Sequence, residues 1–226
     1  MISTFQCPSD LGGAIPNSAD FAANFSGRAV CNYYGNCGQP ASGSNPNCPC
    51  TNTYYTTYKP FTGTGGFTFP NGCSSASGCA KPNPAGLFSR TGNDFKCQFR
   101  QITDGLSKTI MVGETRPACS EYAQVGWAAS DNLNGLSSPY IPLNYDSCIG
   151  GTNSAAAFAA AQAKGLDGCA ASHNWSTSWG WKSRHPGVVN VIMADGAVLA
   201  LSENIDQFTL ARLGVRADGQ TIGVFP

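Results

Sequence analysis

Two apolar runs meet at an Asp-Gly pair near the carboxyl end of the chain, and this hairpin signal constrains the fold more than any other segment. Asp195-Gly196 separates the run Val188–Ala194 from the run Ala197–Leu201. An Asp-Gly pair in this position is typical of a two-residue type I′ turn, because both residues tolerate positive φ. The register of such a hairpin places His185 opposite Asp206, so we predict that this pair forms a structural clasp where the hairpin opens.

A second Asp-Gly pair, Asp104-Gly105, precedes another apolar run, Thr109–Gly113. We interpret the pair as a turn that leads into a central strand. The runs 109–113 and 188–194 are nearly continuous in apolar residues, which favours strands that are buried on both faces. The sequence therefore predicts a sheet with a covering layer on its second face.

Helices are predicted in two places. The alanine-rich segment Asn153–Gly165 has a polar cap at its start and a glycine at its end, and a shorter helix is expected at about 206–214. The predicted fold is α+β, with a mainly antiparallel sheet in one domain over residues 1–226. Residues 31–86 and 131–183 are predicted to be long, loop-rich insertions.

The chain of 226 residues contains eleven cysteines, a number that is typical of an oxidising compartment. Disulfide bonds and metal-thiolate sites both remain open, but the sequence lacks two Cys-x2-Cys pairs, which favours disulfides. The closely spaced pairs Cys31/Cys37 and Cys73/Cys79 are the disulfide candidates. The odd number leaves at least one thiol free or bonded between chains.

The charge is low and balanced. Charged residues make up 12% of the chain, and 13 basic residues equal 13 acidic ones. Nucleic acid binding is disfavoured because it requires a clustered basic surface. No run of about 18 apolar residues occurs, so we predict no membrane span in this chain.

Several segments, taken in order, resemble one bacterial family. They are Phe5–Asp10, Asn32–Asn36, Ile102–Glu114, the segment in which nine residues separate His185 from Asp195-Gly196, and the tail after Ile205-Asp206. Together they resemble the prepilin-processing-associated family that is named for its H-x9-DG motif and whose biochemical activity is unknown. The resemblance implies a secreted, pilin-like protein, and the cysteine content adds the expectation of disulfide-bearing loops.

One feature departs from that family, whose members begin with a short basic leader and a long apolar helix. Here Met1–Phe5 leads almost directly into the Cys-Pro-Ser-Asp segment. The sequence is compatible either with a processed or truncated globular domain or with loss of the pilin helix.

Catalysis is not predicted. His173 and His185 are the two histidines of the chain. A triad of His185, Asp206 and a serine can be drawn on paper, but no Gly-x-Ser-x-Gly turn accompanies it. Cys7, in a Cys-Pro pair, is interpreted as a buried or bridged cysteine rather than as a nucleophile.

No cofactor is predicted, with calcium as the alternative. Carboxylates on irregular backbone suit a hard cation, and the candidates are Asp131, Asp146 and Asp167. No EF-hand spacing is present.

Trp175, Trp179 and Trp181 are evenly spaced and would share one face of an extended segment. Burial is the favoured interpretation, and a solvent-exposed platform that stacks on sugar rings is the alternative. The sequons that begin at Asn24 and Asn174 are compatible with a glycoprotein.

The predicted function is that of an extracellular or cell-envelope structural subunit, pilin-like and without enzymatic activity. Its expected partners are copies of itself or other pilin-like subunits in a filament or cell-surface structure. The alternative is a secreted carbohydrate-binding module that uses the tryptophan platform.

Overall fold

The computed structural model describes residues 3–10, 30–38, 84–89, 95–120, 123, 135–150, 154–174, 177–223 and 225. Five strands form one sheet in the order β3-β1-β2-β4-β5. The strands are β1 (Tyr33–Asn36), β2 (Ile110–Glu114), β3 (Leu136–Ser137), β4 (Val188–Met193) and β5 (Val198–Ser202). β1 and β3 are parallel and the other pairs are antiparallel, so the predicted α+β fold with a mainly antiparallel sheet is confirmed.

In the part of the chain that the structure describes, both predicted α-helices are present beside the sheet. α1 (Ser154–Ala163) ends before Gly165, whose φ of 71° is the left-handed conformation expected after a helix. α2 (Gln207–Leu213) begins after Asp206, whose carboxylate accepts the backbone N–H of Thr209 at 2.8 Å. Among the described residues, no helix is long and apolar enough to cross a membrane.

The β4–β5 hairpin exists, but its predicted turn is wrong by one residue. Met193 N–H donates to the carbonyl of Ala197, and Gly196 N–H donates to the carbonyl of Met193, so the loop has three residues. Of these, Gly196 has positive φ, at 90°, as in a type I turn followed by a bulge. Val188 therefore pairs with Ser202, which is one residue earlier than the two-residue turn requires.

The two faces of the sheet differ, which corrects the prediction of strands buried on both sides. On the inner face, Val189, Val191 and Met193 alternate with more exposed neighbours and join a core cluster with Trp181 and residues of α2. On the other side, β2, β4 and β5 present residues that are half-buried or exposed. This set, called the outer face below, contains Val112, Val188, Asn190, Ile192, Val198 and Ala200.

The amphipathic helix α2, rather than the alanine-rich α1, packs against the inner face of the sheet. Leu210 and Leu213 of α2 are fully buried in the same cluster as Trp181. α1 packs instead against a short turn at Gly168–Ala170. The side that α1 buries carries the small side chains of Ala157 and Ala161, whereas α2 buries leucines three residues apart.

One disulfide, Cys119–Cys148, is complete among the described residues, and Cys169 is also disulfide-bonded. The predicted Cys31–Cys37 bond is wrong, because both thiols are free. The four residues of β1 between them span roughly 13 Å, whereas bridged cysteines need Cα atoms within about 7 Å. Cys73 and Cys79 lie outside the described residues, as does most of the predicted insertion 31–86.

Candidate functional site

Three side chains from distant parts of the sequence meet at one end of the sheet: Cys7, Glu114 and His185. Antiparallel pairing brings the start of β1, the end of β2 and the start of β4 to this same end. Glu114 is the last residue of β2, His185 precedes β4, and Cys7 lies in the amino-terminal segment. Their ligand atoms all lie within 4.8 Å of one another.

Both partners of His185 contact the same ring nitrogen. The Sγ atom of Cys7 lies 3.7 Å from His185 Nε2, and Glu114 Oε1 lies 3.4 Å from that same Nε2. A Cys-His-carboxylate triad uses opposite ring nitrogens, one for the nucleophile and one for the acid. The arrangement is therefore that of three atoms around a common point and not that of a proton relay.

The carboxylate of Glu114 is buried and fixed by β4. Its Oε2 accepts the backbone N–H of Asn190 at 2.9 Å, and its Oε1 accepts the side-chain amide of Asn190 at 3.2 Å. The side chain is 5% exposed. These bonds compensate part of the cost of burying a charge and hold Oε1 toward His185.

A polar network anchors the amino-terminal segment beside this cluster. Asn32 accepts the backbone N–H of Cys7 at 3.0 Å, and its amide donates to Asp10 at 2.8 Å and to the carbonyl of Thr115 at 3.0 Å. Arg184 Nε lies 3.4 Å from the other oxygen of Asp10. Asn32 therefore connects the segment that carries Cys7 to the strand end that carries Glu114.

Tyr33, which pairs with Glu114 in the sheet, lies beside the cluster. Burial, followed by the nearby groups of Cys7, Glu114 and Cys31, raises the pKa of the Tyr33 phenol. Burial disfavours the charged phenolate, and nearby acidic groups disfavour it further. Tyr33 thus remains a neutral neighbour at the edge of the site.

Replacing Asn32 by alanine is expected to loosen the amino-terminal segment. Asn32 is 3% exposed, and its loss leaves Cys7 N–H and the Thr115 carbonyl without this partner, which costs about 2 kcal/mol. Amide hydrogen exchange should show faster exchange at Cys7, with a lower free energy of unfolding by denaturant. The control is Asn204→Ala at an exposed position, and equal exchange rates in the two variants would contradict the anchoring role.

The structure separates His185 from its predicted partner. His185 contacts Cys7 and Glu114, and the hairpin register differs by one residue from the predicted one, so the predicted His185–Asp206 clasp is wrong. Asp206 caps α2 instead. Asp195 accepts the backbone N–H of Ala197 at 2.9 Å, which is the turn role predicted for it.

The Asp104 carboxylate binds a segment that is distant in sequence as well as forming part of a local turn. Its two carboxylate oxygens accept the backbone N–H groups of Asp218 and Gly219 at 2.7 and 2.9 Å. Gly105 has a φ of 106°, in the region that favours glycine. The pair therefore turns the chain into β2 and also fastens the carboxyl-terminal segment.

The proposed calcium ligands are not brought together in the described part of the chain. Asp146 and Asp167 are exposed, and each accepts the backbone N–H of the residue two positions on, Cys148 at 3.2 Å and Cys169 at 2.8 Å. Neither joins a group of three or more metal-ligating side chains among the described residues. Asp131 lies outside the described residues.

The tryptophan platform is contradicted by burial. Trp179 is 2% exposed and Trp181 is fully buried, so neither ring can stack on a sugar, and Trp175 lies outside the described residues. At the second sequon, Asn174 is buried and its amide donates to the carbonyl of Gly168 at 2.9 Å. That asparagine is not accessible for glycosylation in the folded chain.

A family model described as "Protein of unknown function (DUF1559)" matches residues 1–208. The chain belongs to this family. The DUF1559 match includes Cys7, Glu114 and His185, so the whole cluster lies within the family region. No curated protein and no solved structure gives a significant match.

Two members of the cluster were missed by sequence reasoning. The sequence predicts that Cys7 is a buried or bridged cysteine, and it is buried. The sequence does not predict that Cys7 lies beside Glu114 and His185, and it predicts no role for Glu114. The sequence feature that could have indicated the site is the set of segments that carry the family resemblance, Phe5–Asp10, Asn32–Asn36 and Ile102–Glu114. Residues of these segments meet His185 at this end of the sheet. Segments that share a signature in distant parts of a sequence are candidates for one site.

Proposed function

We propose that this DUF1559 chain is a pilin-like structural subunit of the extracellular space or cell envelope that assembles with copies of itself or with other pilin-like subunits. The proposal includes the assignment of the segment from His185 to Asp195-Gly196 as the H-x9-DG motif of the prepilin-processing-associated family. Membership of the family and the α+β sheet support it. The disulfide Cys119–Cys148 is compatible with an oxidising compartment.

The partly exposed outer face is the observation that carries the proposal. It is mainly aliphatic, and Val198 is 68% exposed. A groove of about 620 Å³ lies beside it, lined by Phe88 and Phe99 among others, and Phe88 packs against Gly35 on the same side of β1. Contiguous apolar surface of this kind is typical of contacts between proteins.

Charge also favours association of like chains. The net charge is zero, so copies of the chain do not repel one another over long distances. The exposed aliphatic side chains of the outer face can pack against an equivalent or complementary subunit at low desolvation cost.

Replacing Val198 by aspartate is expected to abolish assembly without unfolding the chain, because this side chain is exposed. Native wild-type protein should form filaments or discrete oligomers in electron micrographs and sediment faster than the variant. The matched control is Leu166→Asp, which changes an exposed aliphatic residue after α1 and should assemble like the wild type. A wild-type chain that stays monomeric at high concentration would count against the proposal.

A further inference from the structure

In the Cys7–Glu114–His185 cluster, the two distances from His185 Nε2 to its neighbours match the spacing of ligands in a tetrahedral metal site, and all three ligand atoms lie within 4.8 Å of one another. Zinc binds sulfur at about 2.3 Å and nitrogen or oxygen at about 2.0–2.1 Å, which places tetrahedral ligands roughly 3.3–3.6 Å apart. The observed distances are 3.7 Å from sulfur to Nε2 and 3.4 Å from Nε2 to the Glu114 oxygen. We propose that Cys7, Glu114 and His185 bind one zinc ion.

The donor set selects the class of metal. Thiolate and imidazole are ligands for zinc and other late transition metals, whereas calcium and magnesium prefer sites made of oxygen alone. A thiolate and a carboxylate supply two negative charges, which a divalent cation neutralises. Both side chains are buried, Cys7 at 6% and the Glu114 side chain at 5% exposure, so an ion between them is poorly screened by water.

The ligands are oriented by bonds that do not involve the ion. Asn190 fixes the Glu114 carboxylate from two directions, and Asn32 holds the backbone of Cys7. Such outer contacts are typical of metal sites, where they position the ligands before binding. The His185 side chain is 33% exposed, so solvent can supply a water as the fourth ligand from that side.

The ion would have a structural consequence. Cys7 belongs to the amino-terminal segment, whereas Glu114 ends the central strand β2 and His185 lies just before the central strand β4. Zinc would therefore join the amino-terminal segment to the sheet, and it would keep the thiol of Cys7 from oxidation in a compartment where disulfides form. This role does not depend on whether the chain assembles.

Cobalt(II) provides a direct test, because it replaces zinc and reports its ligands by absorption. The metal-free full chain, with Cys7 verified as a free thiol by alkylation and mass spectrometry, is titrated with Co²⁺. We expect one equivalent to bind, with a sulfur-to-cobalt charge-transfer band and the intense visible bands of tetrahedral cobalt. Zinc added afterwards should displace the cobalt and remove both.

Single substitutions identify the ligands. Cys7→Ser should lose the charge-transfer band. His185→Gln, at a partly exposed position, removes a direct ligand and should weaken zinc binding at least as much as the roughly 10–100-fold that is typical for loss of a residue that only orients a ligand. Cys97→Ser, which removes another free cysteine, is the control and should bind like the wild type. Near-ultraviolet circular dichroism from the buried Trp179 and Trp181 verifies that each variant is folded.

Three results would overturn the proposal. The first is a folded wild-type chain with free Cys7 that gives no charge-transfer band. The second is a band that survives in folded Cys7→Ser, and the third is a native chain in which Cys7 is found in a disulfide.

Discussion

Replacing Trp181 by alanine is expected to lower the free energy of unfolding by about 3–5 kcal/mol. The indole is fully buried in the cluster beneath the sheet, and its Nε1–H donates to the carbonyl of Tyr34 at 3.4 Å. The ring also lies against Gly113, where an added Cβ would come within 2.8 Å of it. Truncation therefore leaves a cavity that the rigid strands cannot close. Urea unfolding monitored by far-ultraviolet circular dichroism measures the loss.

Phe99→Ala is the matched control for that experiment. Phe99 is a large aromatic residue that is 72% exposed, so its truncation should change the free energy of unfolding by no more than about 0.5 kcal/mol. A Trp181 variant as stable as the Phe99 variant would show that the indole is not a core residue. It would also reopen the sugar-platform alternative that burial contradicts.

The positions of β2, β4, β5 and both helices could be predicted because each has a strong local signal. Apolar runs and Asp-Gly turns mark the strands, and alanine content with a terminal glycine marks α1. The hairpin register was not predictable in the same way. Two-residue and three-residue loops both accept Asp-Gly, and the difference of one residue changes which side chains are opposite one another.

The cluster at the sheet end could not be predicted from spacing, because its members are far apart in sequence. Cys7 is held by Asn32, which directly precedes β1, so Cys7 meets Glu114 because β1 pairs with β2. His185 joins them because β4 is the next strand in the sheet. Strand order is a long-range property that depends on packing of the whole core. The burial of Trp179 and Trp181 has the same origin, since even spacing predicts a shared orientation but not which side faces the core.

The free energy of unfolding is expected to rise with pH because of the buried lysine Lys182. Its ammonium donates to the carbonyls of Ser178 and Gly180 at 3.4 and 3.1 Å, and no described carboxylate lies within salt-bridge distance. Burial, with a smaller contribution from Arg116, lowers the pKa of Lys182 to about 7, against 10.5 in an unfolded chain, while Asp146 opposes the shift.

Between these two pKa values the unfolded chain binds one proton more than the folded chain, so each rise in pH favours folding. From about pH 7 to about pH 9 the gain is about 2 kcal/mol. Above this window the gain is opposed by Cys37, because burial raises the pKa of its thiol to about 12 from 9.0 and its contribution is lost as the pH rises. Urea unfolding at several pH values within the window measures the slope.

Lys182→Met isolates the lysine from other titrating groups. This variant should lose most of the rise between about pH 7 and about pH 9, whereas Lys164→Met, at an exposed position on the turn after α1, should keep it. The comparison is needed because a methionine leaves the carbonyls of Ser178 and Gly180 without the lysine donor, so absolute stability can fall while the slope is removed. A pH slope that is unchanged in Lys182→Met would show that the lysine is charged in the folded chain, and would require a compensating anion near it.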